Sequence, residues 1–274
     1  MENIFCAETL NGIAQANPLA EQLASQAGIA MRPSGEPSGA SADLWFIDTA
    51  SGSNASSATG TPAHGAKLAV KVMRHGCAAP HKEALKSNEA YKSDWYKLRQ
   101  EYETFRGMDG AQGHAPVAYA LGWRIKKTPR GEVRYPALAM EYVEGVDIVE
   151  LREIISDERG EVTAADVLDT ARSIVTALLC CTVVSREDAR YLTTVSHRDL
   201  SSHNLRFMLD KDGRCIERVM LIDFGQSAQN DDPDVTAADG SERLSTPFIG
   251  APEIFDQRQS EARQWRNTSH ADCY

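Results

Sequence analysis

VSHRDLSSHNLRF, residues 195–207, and LIDFG, residues 221–225, are the two stretches from which the rest of the chain is read. The first carries Asp199, with Asn204 five residues later; the second sets Asp223 directly after an apolar, strand-like run at 219–222. Phosphoryl transfer asks little covalent chemistry of a protein. It needs metal ions held against the phosphates and a carboxylate that orients the attacking hydroxyl. Asn204 and Asp223 offer the hard oxygens that magnesium prefers. Asp199, on the same loop as Asn204, is placed to accept the hydroxyl proton.

The chain has 274 residues and a net charge of −10, with 42% hydrophobic and 25% charged residues. That composition suits one substantial globular domain or two lobes. An acidic balance argues against nucleic acid or an anionic membrane as the main partner. The six cysteines show no CxxC and no regular spacing. Scattered thiols of this kind fit a reducing, cytoplasmic setting better than a disulfide framework or a zinc site. No signal peptide or apolar run of transmembrane length occurs within these residues.

His197-Arg198-Asp199-Leu200 with Asn204, then Asp223-Phe224-Gly225, then Ala251-Pro252-Glu253 resembles the signature set of protein kinases, in the family's order. The likeness is to eukaryotic-like Ser/Thr protein kinases of bacterial type, and it runs from about residue 28 to the last residue. It implies an α+β, two-lobe protein-kinase-like fold. The small lobe is expected to be mostly antiparallel sheet plus one helix, and the large lobe mostly helical and incomplete. Residues 1–27 form an N-terminal extension, 28–140 the small lobe with a flexible insertion at 49–65, 141–145 the hinge, and 146–274 a truncated large lobe. The resemblance also implies ATP and Mg2+ as cofactors and a protein substrate. Asp199 is then the base, Asn204 and Asp223 the metal ligands, and Arg198 the anchor for a phosphate on the activation segment.

Residues 1–27 are Ala- and Gln-rich with modest helical periodicity, which leaves a docking helix and a mobile extension both open. Residues 37–45, PSGASADLW, are similar to the family's glycine-rich loop; Gly39 survives, while Pro37 and Ala42 stand where glycines are expected. A proline there removes a backbone donor and fixes φ. KLAVKVM, residues 67–73, alternates as a strand, with Lys67, Ala69, Lys71 and Met73 on one face. By itself Lys71 reads as a solvated strand lysine. The resemblance to the VAIK strand implies instead that Lys71 meets the α- and β-phosphates and that Ala69 lies against the nucleotide.

Residues 93–108 read as a helix whose stripe is Trp95, Leu98, Tyr102 and Phe105. Glu101 sits on the edge of that stripe, whereas Glu103 points away from it. An acid beside a buried stripe needs a partner, and the family pairs this position with Lys71. The intervening residues 74–92 read as a long, charged spacer. Residues 116–123 and 136–142 read as two more strands joined by a turn at 126–131. The second resembles the hinge, with Met140 as gatekeeper and Glu141 and Val143 offering backbone groups to adenine. On its letters alone it fits equally a buried strand running into a glycine turn.

Residues 163–184 form an amphipathic helix, capped by Thr163 with Asp166 and striped by Val167, Ala171, Ile174, Leu178 and Cys181. A hairpin of 206–209 with 219–222, closed at 210–213, follows the catalytic loop. Ser201 stands where the family's Ser/Thr kinases usually carry lysine, and Arg206 where an apolar residue usually packs under adenine. The resemblance further implies that Thr246 is the docking-loop threonine and that Glu242 falls near the usual phosphate-accepting position; either Glu242 pairs with Arg198, or it is a solvated glutamate and Ser241 or Thr236 is the phosphosite. SHADCY, residues 269–274, resembles the start of the central large-lobe helix, so the chain reads as a fragment expected to be inactive and poorly stable alone, with the inner stripe of helix 163–184 left exposed. A pseudokinase serving as a nucleotide-binding or scaffolding module is the second expectation, and a small-molecule kinase the third.

Overall fold

A computed structural model of the chain describes residues 3–7, 23, 28–35, 42–48, 67–108, 113–181, 183–185, 192–197, 199–225 and 227–229. The architecture is α+β, and among the described residues all strand pairs are antiparallel. The chain divides into two compact units, Met1–Tyr102 with Val117–Tyr142, and Glu103–Pro116 with Val143–Tyr274.

In the first unit the strands are β1 (Asn3–Ala7), β2 (Ile29–Ala30), β3 (Arg32–Pro33), β4 (Ala42–Asp48), β5 (Lys67–Met73), β6 (Ala118–Thr128) and β7 (Gly131–Glu141). They form one sheet in the order β2-β1-β6-β7-β5-β4-β3. The period-two pattern of β5 divides its side chains between the two faces of the sheet. Leu68, Val70 and Val72 enter a core with Phe5, Leu23, Trp45, Ile47, Tyr119, Ala137 and Ala139. Ala69, Lys71 and Met73 occupy the other face.

Of the N-terminal stretch, residues 8–22 and 24–27 lie outside the described residues, and only residues 3–7 differ from expectation. Asn3–Ala7 is neither docking helix nor loose extension but a strand paired with β6, Phe5 standing opposite Arg124. Phe5 is 1% exposed, so burial of an aromatic ring outweighs the weak helical propensity around it. Gly122 is what permits the close approach, since a Cβ there would run into the Cys6 carbonyl oxygen. Arg124 adds a polar tie by donating twice to Asn3 Oδ1, at 3.1 and 2.9 Å, with its guanidinium 3.9 Å from the Trp45 ring centroid.

The expected spacer at 74–92 is also not a plain linker. It contains α1 (His81–Ser87), and α2 (Glu89–Gly107) begins before residue 93. The His81 ring lies against Trp95, and Trp95 stacks on Trp123 with a centroid separation of 5.4 Å. Tyr91 is buried beneath them, its hydroxyl accepting from Trp123 Nε1 at 2.9 Å. The β6–β7 hairpin is longer than the two expected strands, and its turn tightens to Thr128–Gly131.

The second unit holds α3 (Ile148–Arg159), α4 (Ala164–Cys181), β8 (Val183–Ser185), β9 (Leu192–Ser196), β10 (Leu205–Leu209), β11 (Ile216–Leu221) and β12 (Ala228–Gln229). Helix α3 starts in a capping box, Asp147 with Glu150, and ends at Gly160 in the left-handed conformation. Thr163 and Asp166 cap α4 reciprocally: Thr163 N donates to Asp166 Oδ2 at 2.9 Å, and Asp166 N to Thr163 Oγ1 at 3.3 Å. The apolar stripe along α4 is buried only at its C-terminal end and is otherwise largely open, in line with the expectation of an uncovered inner face. Ala177 and Cys181 are buried, whereas Val167 is 58% exposed. The reason lies in what α4 rests on, namely β11 and the His114 carbonyl, which accepts from Leu221 N at 2.8 Å and from Cys181 Sγ at 3.5 Å.

Candidate functional site

In the first unit, β5 and α2 bring Lys71 and Glu101 together. Lys71 Nζ donates to both carboxylate oxygens of Glu101, at 3.1 and 2.9 Å. Glu101 is 1% exposed, while Glu103, two residues on, is exposed. The helical period therefore decides which glutamate is buried, and the alternation of β5 decides that Lys71 faces it. Leu44 and Leu138, opposite Lys71 on either side, flank its stem.

Ala69 pairs across the sheet with Met140 and with Phe46, so these three share the face that carries Lys71. Ala69 is buried and Met140 half-buried. Glu141 donates its N–H to the Val117 carbonyl at 2.8 Å and accepts the Val117 N–H on Oε2 at 3.2 Å. Its N–H is therefore engaged by Val117. Nearby, the Tyr119 hydroxyl is pushed up to about 12, first by burial and then by the Glu141 carboxylate.

In the second unit, a 3-10 turn at Ser202–Asn204 leads into β10. The side-chain amide of Asn204 donates to the Asp199 carbonyl at 2.8 Å and to Asp199 Oδ2 at 3.2 Å. Both contacts are to oxygen, which fixes the orientation of the amide. The Asn204 carbonyl accepts the Ile222 N–H at 3.0 Å, and this bond sets Asp223 alongside the turn. Asp223 has φ 63°, among the described residues the one non-glycine with positive φ. Such a conformation costs about 1–3 kcal/mol and collects at functional sites. Asp223 Oδ1 accepts from Gly225 N at 3.2 Å.

His197 ties the two motifs together. Its Nε2 lies 3.1 Å from the Ile222 carbonyl, and its Nδ1 is 3.3 Å from the Asp199 amide N–H. A carbonyl only accepts and a peptide N–H only donates, so the imidazole is neutral with its proton on Nε2. The ring is 2% exposed and tilted against Phe224, which meets Phe105 edge-on. This bridging role went unread in the sequence, where His197 is one letter of a motif and nothing in its spacing announces Ile222. Asp147 with Glu150, and Gly160, are the local sequence signals for the capping box and the C-cap of α3.

Asn204 and Asp223 supply amide and carboxylate oxygens, the donor types magnesium takes, and the Asn204 amide turns its N–H side to Asp199. Among the described residues no group of three or more His, Cys, Asp or Glu is arranged to hold a metal. Two protein oxygens completed by phosphate and water are the usual magnesium pattern, so the residues fit that ion. Gly39 and Arg198 lie outside the described residues, as do Thr246, Glu242, the stretch 251–253 and residues 269–274. Among the described residues no helix is long and apolar enough to cross a membrane, and the described cysteines are all free thiols. No protein-family model matches the chain, and no curated protein matches it.

Proposed function

We propose that the chain is an ATP- and magnesium-dependent phosphotransferase of protein-kinase type, with a two-lobe kinase-like fold, acting on a protein serine or threonine hydroxyl. The observation that carries the reading is the Lys71–Glu101 pair, a carboxylate buried on α2 that grips a lysine on β5 through both oxygens. A buried ion pair is weak as a source of stability, so its presence speaks for a task. In this reading Glu101 holds Lys71 extended, and Lys71 sets its ammonium on phosphate oxygens. Asp199, steadied by Asn204, accepts the proton of the attacking hydroxyl. Asn204 and Asp223 hold magnesium, which when bound offsets charge on the transferring phosphoryl group. Ala69 and Met140 line the adenine, with backbone groups of Glu141 and Val143 at its edge. The acidic chain and its scattered free thiols favour a protein partner in the cytoplasm.

A second reading, a pseudokinase that binds nucleotide without turnover, rests on Ser201, a buried and uncharged residue where these kinases usually carry lysine. Phosphate transfer from ATP by the chain, assayed on peptide mixtures and on small alcohols with and without magnesium, tests both. Magnesium-dependent transfer to peptides that Asp199→Asn abolishes supports the kinase reading. Binding without transfer selects the pseudokinase, and transfer to alcohols alone a small-molecule kinase. Neither binding nor transfer overturns all three.

A further inference from the structure

Lys67 opens β5, and its ammonium rests on aromatic rings. Its Nζ lies 3.5 Å from the Phe46 ring centroid and 4.1 Å from that of Tyr142. The two rings meet edge-on, 5.1 Å apart at 81°. Asp48 stands directly opposite Lys67 in the β4–β5 register, yet Arg32 takes both its carboxylate oxygens, at 2.7 and 2.9 Å. The Lys67 charge helps hold the Asp48 carboxyl below its ordinary range, after the larger effect of Arg32, but the close contacts of its ammonium are with the rings. The ammonium is therefore held by ring faces, and Phe46, 1% exposed, is covered in doing so. Tyr142 is the last residue of the first unit, immediately after the strand whose Met140 pairs with Ala69.

We propose that Lys67 is a positioning residue: its ammonium clamps Tyr142 against Phe46 and thereby fixes the backbone between Glu141 and Val143, the two residues whose backbone groups an adenine nucleotide would use. The nucleotide part of this inference rests on the proposed function; the clamp itself does not. Two features favour a clamp over a passive surface lysine. Arg32 holds both oxygens of the nearest carboxylate, so that Asp48 acts on Lys67 only through its charge, and the lysine engages two rings, one on β4 and one just past β7, rather than one. Loss of the charge at constant stem length removes the attraction and leaves the sheet face otherwise packed.

Three variants of the full chain test it: Lys67→Met, which keeps the stem, Lys67→Arg, which keeps the charge, and Tyr142→Leu. Amide hydrogen exchange is followed across residues 140–144, with binding of magnesium ADP measured alongside. The expected result is that Lys67→Met and Tyr142→Leu speed exchange at 140–144 by about threefold to tenfold, with little change elsewhere. Lys67→Arg restores the slow exchange, since guanidinium also binds ring faces. Unchanged exchange in Lys67→Met, or Lys67→Arg as fast as Lys67→Met, overturns the clamp. A uniform rise across the whole first unit does so too, because it marks a residue needed only for stability. If Lys67→Met does not fold, Tyr142→Leu decides by the same readout. Where the wild-type chain binds magnesium ADP, the dissociation constant should rise in Lys67→Met and recover in Lys67→Arg; an unaltered constant overturns the positioning role. A wild-type chain that binds no nucleotide sinks the phosphotransferase reading, and the exchange measurement still decides the clamp.

Discussion

Asn204 reaches back over a 3-10 turn to Asp199, and one side-chain amide donates to both the carbonyl and the carboxylate of that residue, at 2.8 and 3.2 Å. The loop conformation around Asp199 therefore depends on a donor five residues away. In the same turn the Asn204 carbonyl receives the Ile222 N–H, so both acidic residues of the candidate site are referred to one asparagine.

Asn204→Asp replaces that donor with a second carboxylate facing Asp199. A lost hydrogen bond to a charged group, with like charges left adjacent, is expected to cost about 1.5–3 kcal/mol at neutral pH. Asn204→Ala removes the donor without adding charge and should cost less. Urea denaturation of both variants checks the order, and an Asp variant as stable as the Ala variant sinks it.

Lys71→Met withdraws the cation from a carboxylate that is 1% exposed. Breaking a buried pair from one side costs about 3–5 kcal/mol, to be reduced here because the Lys71 side chain is 15% exposed. Adding Glu101→Leu removes the other charge and should restore part of the loss. A double variant less stable than Lys71→Met alone would show that Glu101 is held chiefly by other partners. Phosphate transfer is expected to be lost in both.

His81 gives the first unit a pH dependence. Burial among Tyr91, Trp95 and Trp123 holds its pKa below the ordinary 6.5. The folded state therefore takes up the proton less readily than the unfolded chain, and stability falls as pH drops below 6.5 towards the lowered folded value. Above 6.5 both states are neutral at this residue and it contributes no slope. Melting temperatures of the wild type and His81→Phe between about pH 7.5 and 5 should diverge in slope only at the acid end. Parallel curves through that range would remove His81 from the account.

Much of the secondary structure is legible in local pattern. The alternation of KLAVKVM marks β5 to the residue, and the stripe of α2 places Glu101 inside and Glu103 outside before any contact is known. The Thr163–Asp166 cap is likewise a matter of neighbours three apart. The stripe of α4 is legible too, but periodicity shows that a face is apolar and not how much of it another element covers. Val167 belongs to the right stripe and still stands in the open.

The sequence by itself determined the strand that carries Lys71, the helix that carries Glu101, and the neighbourhood of Asp199, Asn204 and Asp223 along the chain. Each follows from spacing within a few residues, where backbone geometry alone sets which side chains share a face. Only the tertiary structure decided that β1 joins the sheet beside β6, that His197 bonds Ile222, and that Lys67 lies on Phe46 and Tyr142 while Arg32 holds Asp48. These pairings join residues far apart in sequence, and several partners compete for each group. Burial and hydrogen-bond satisfaction over the whole packed unit select among them, and no local pattern records that choice.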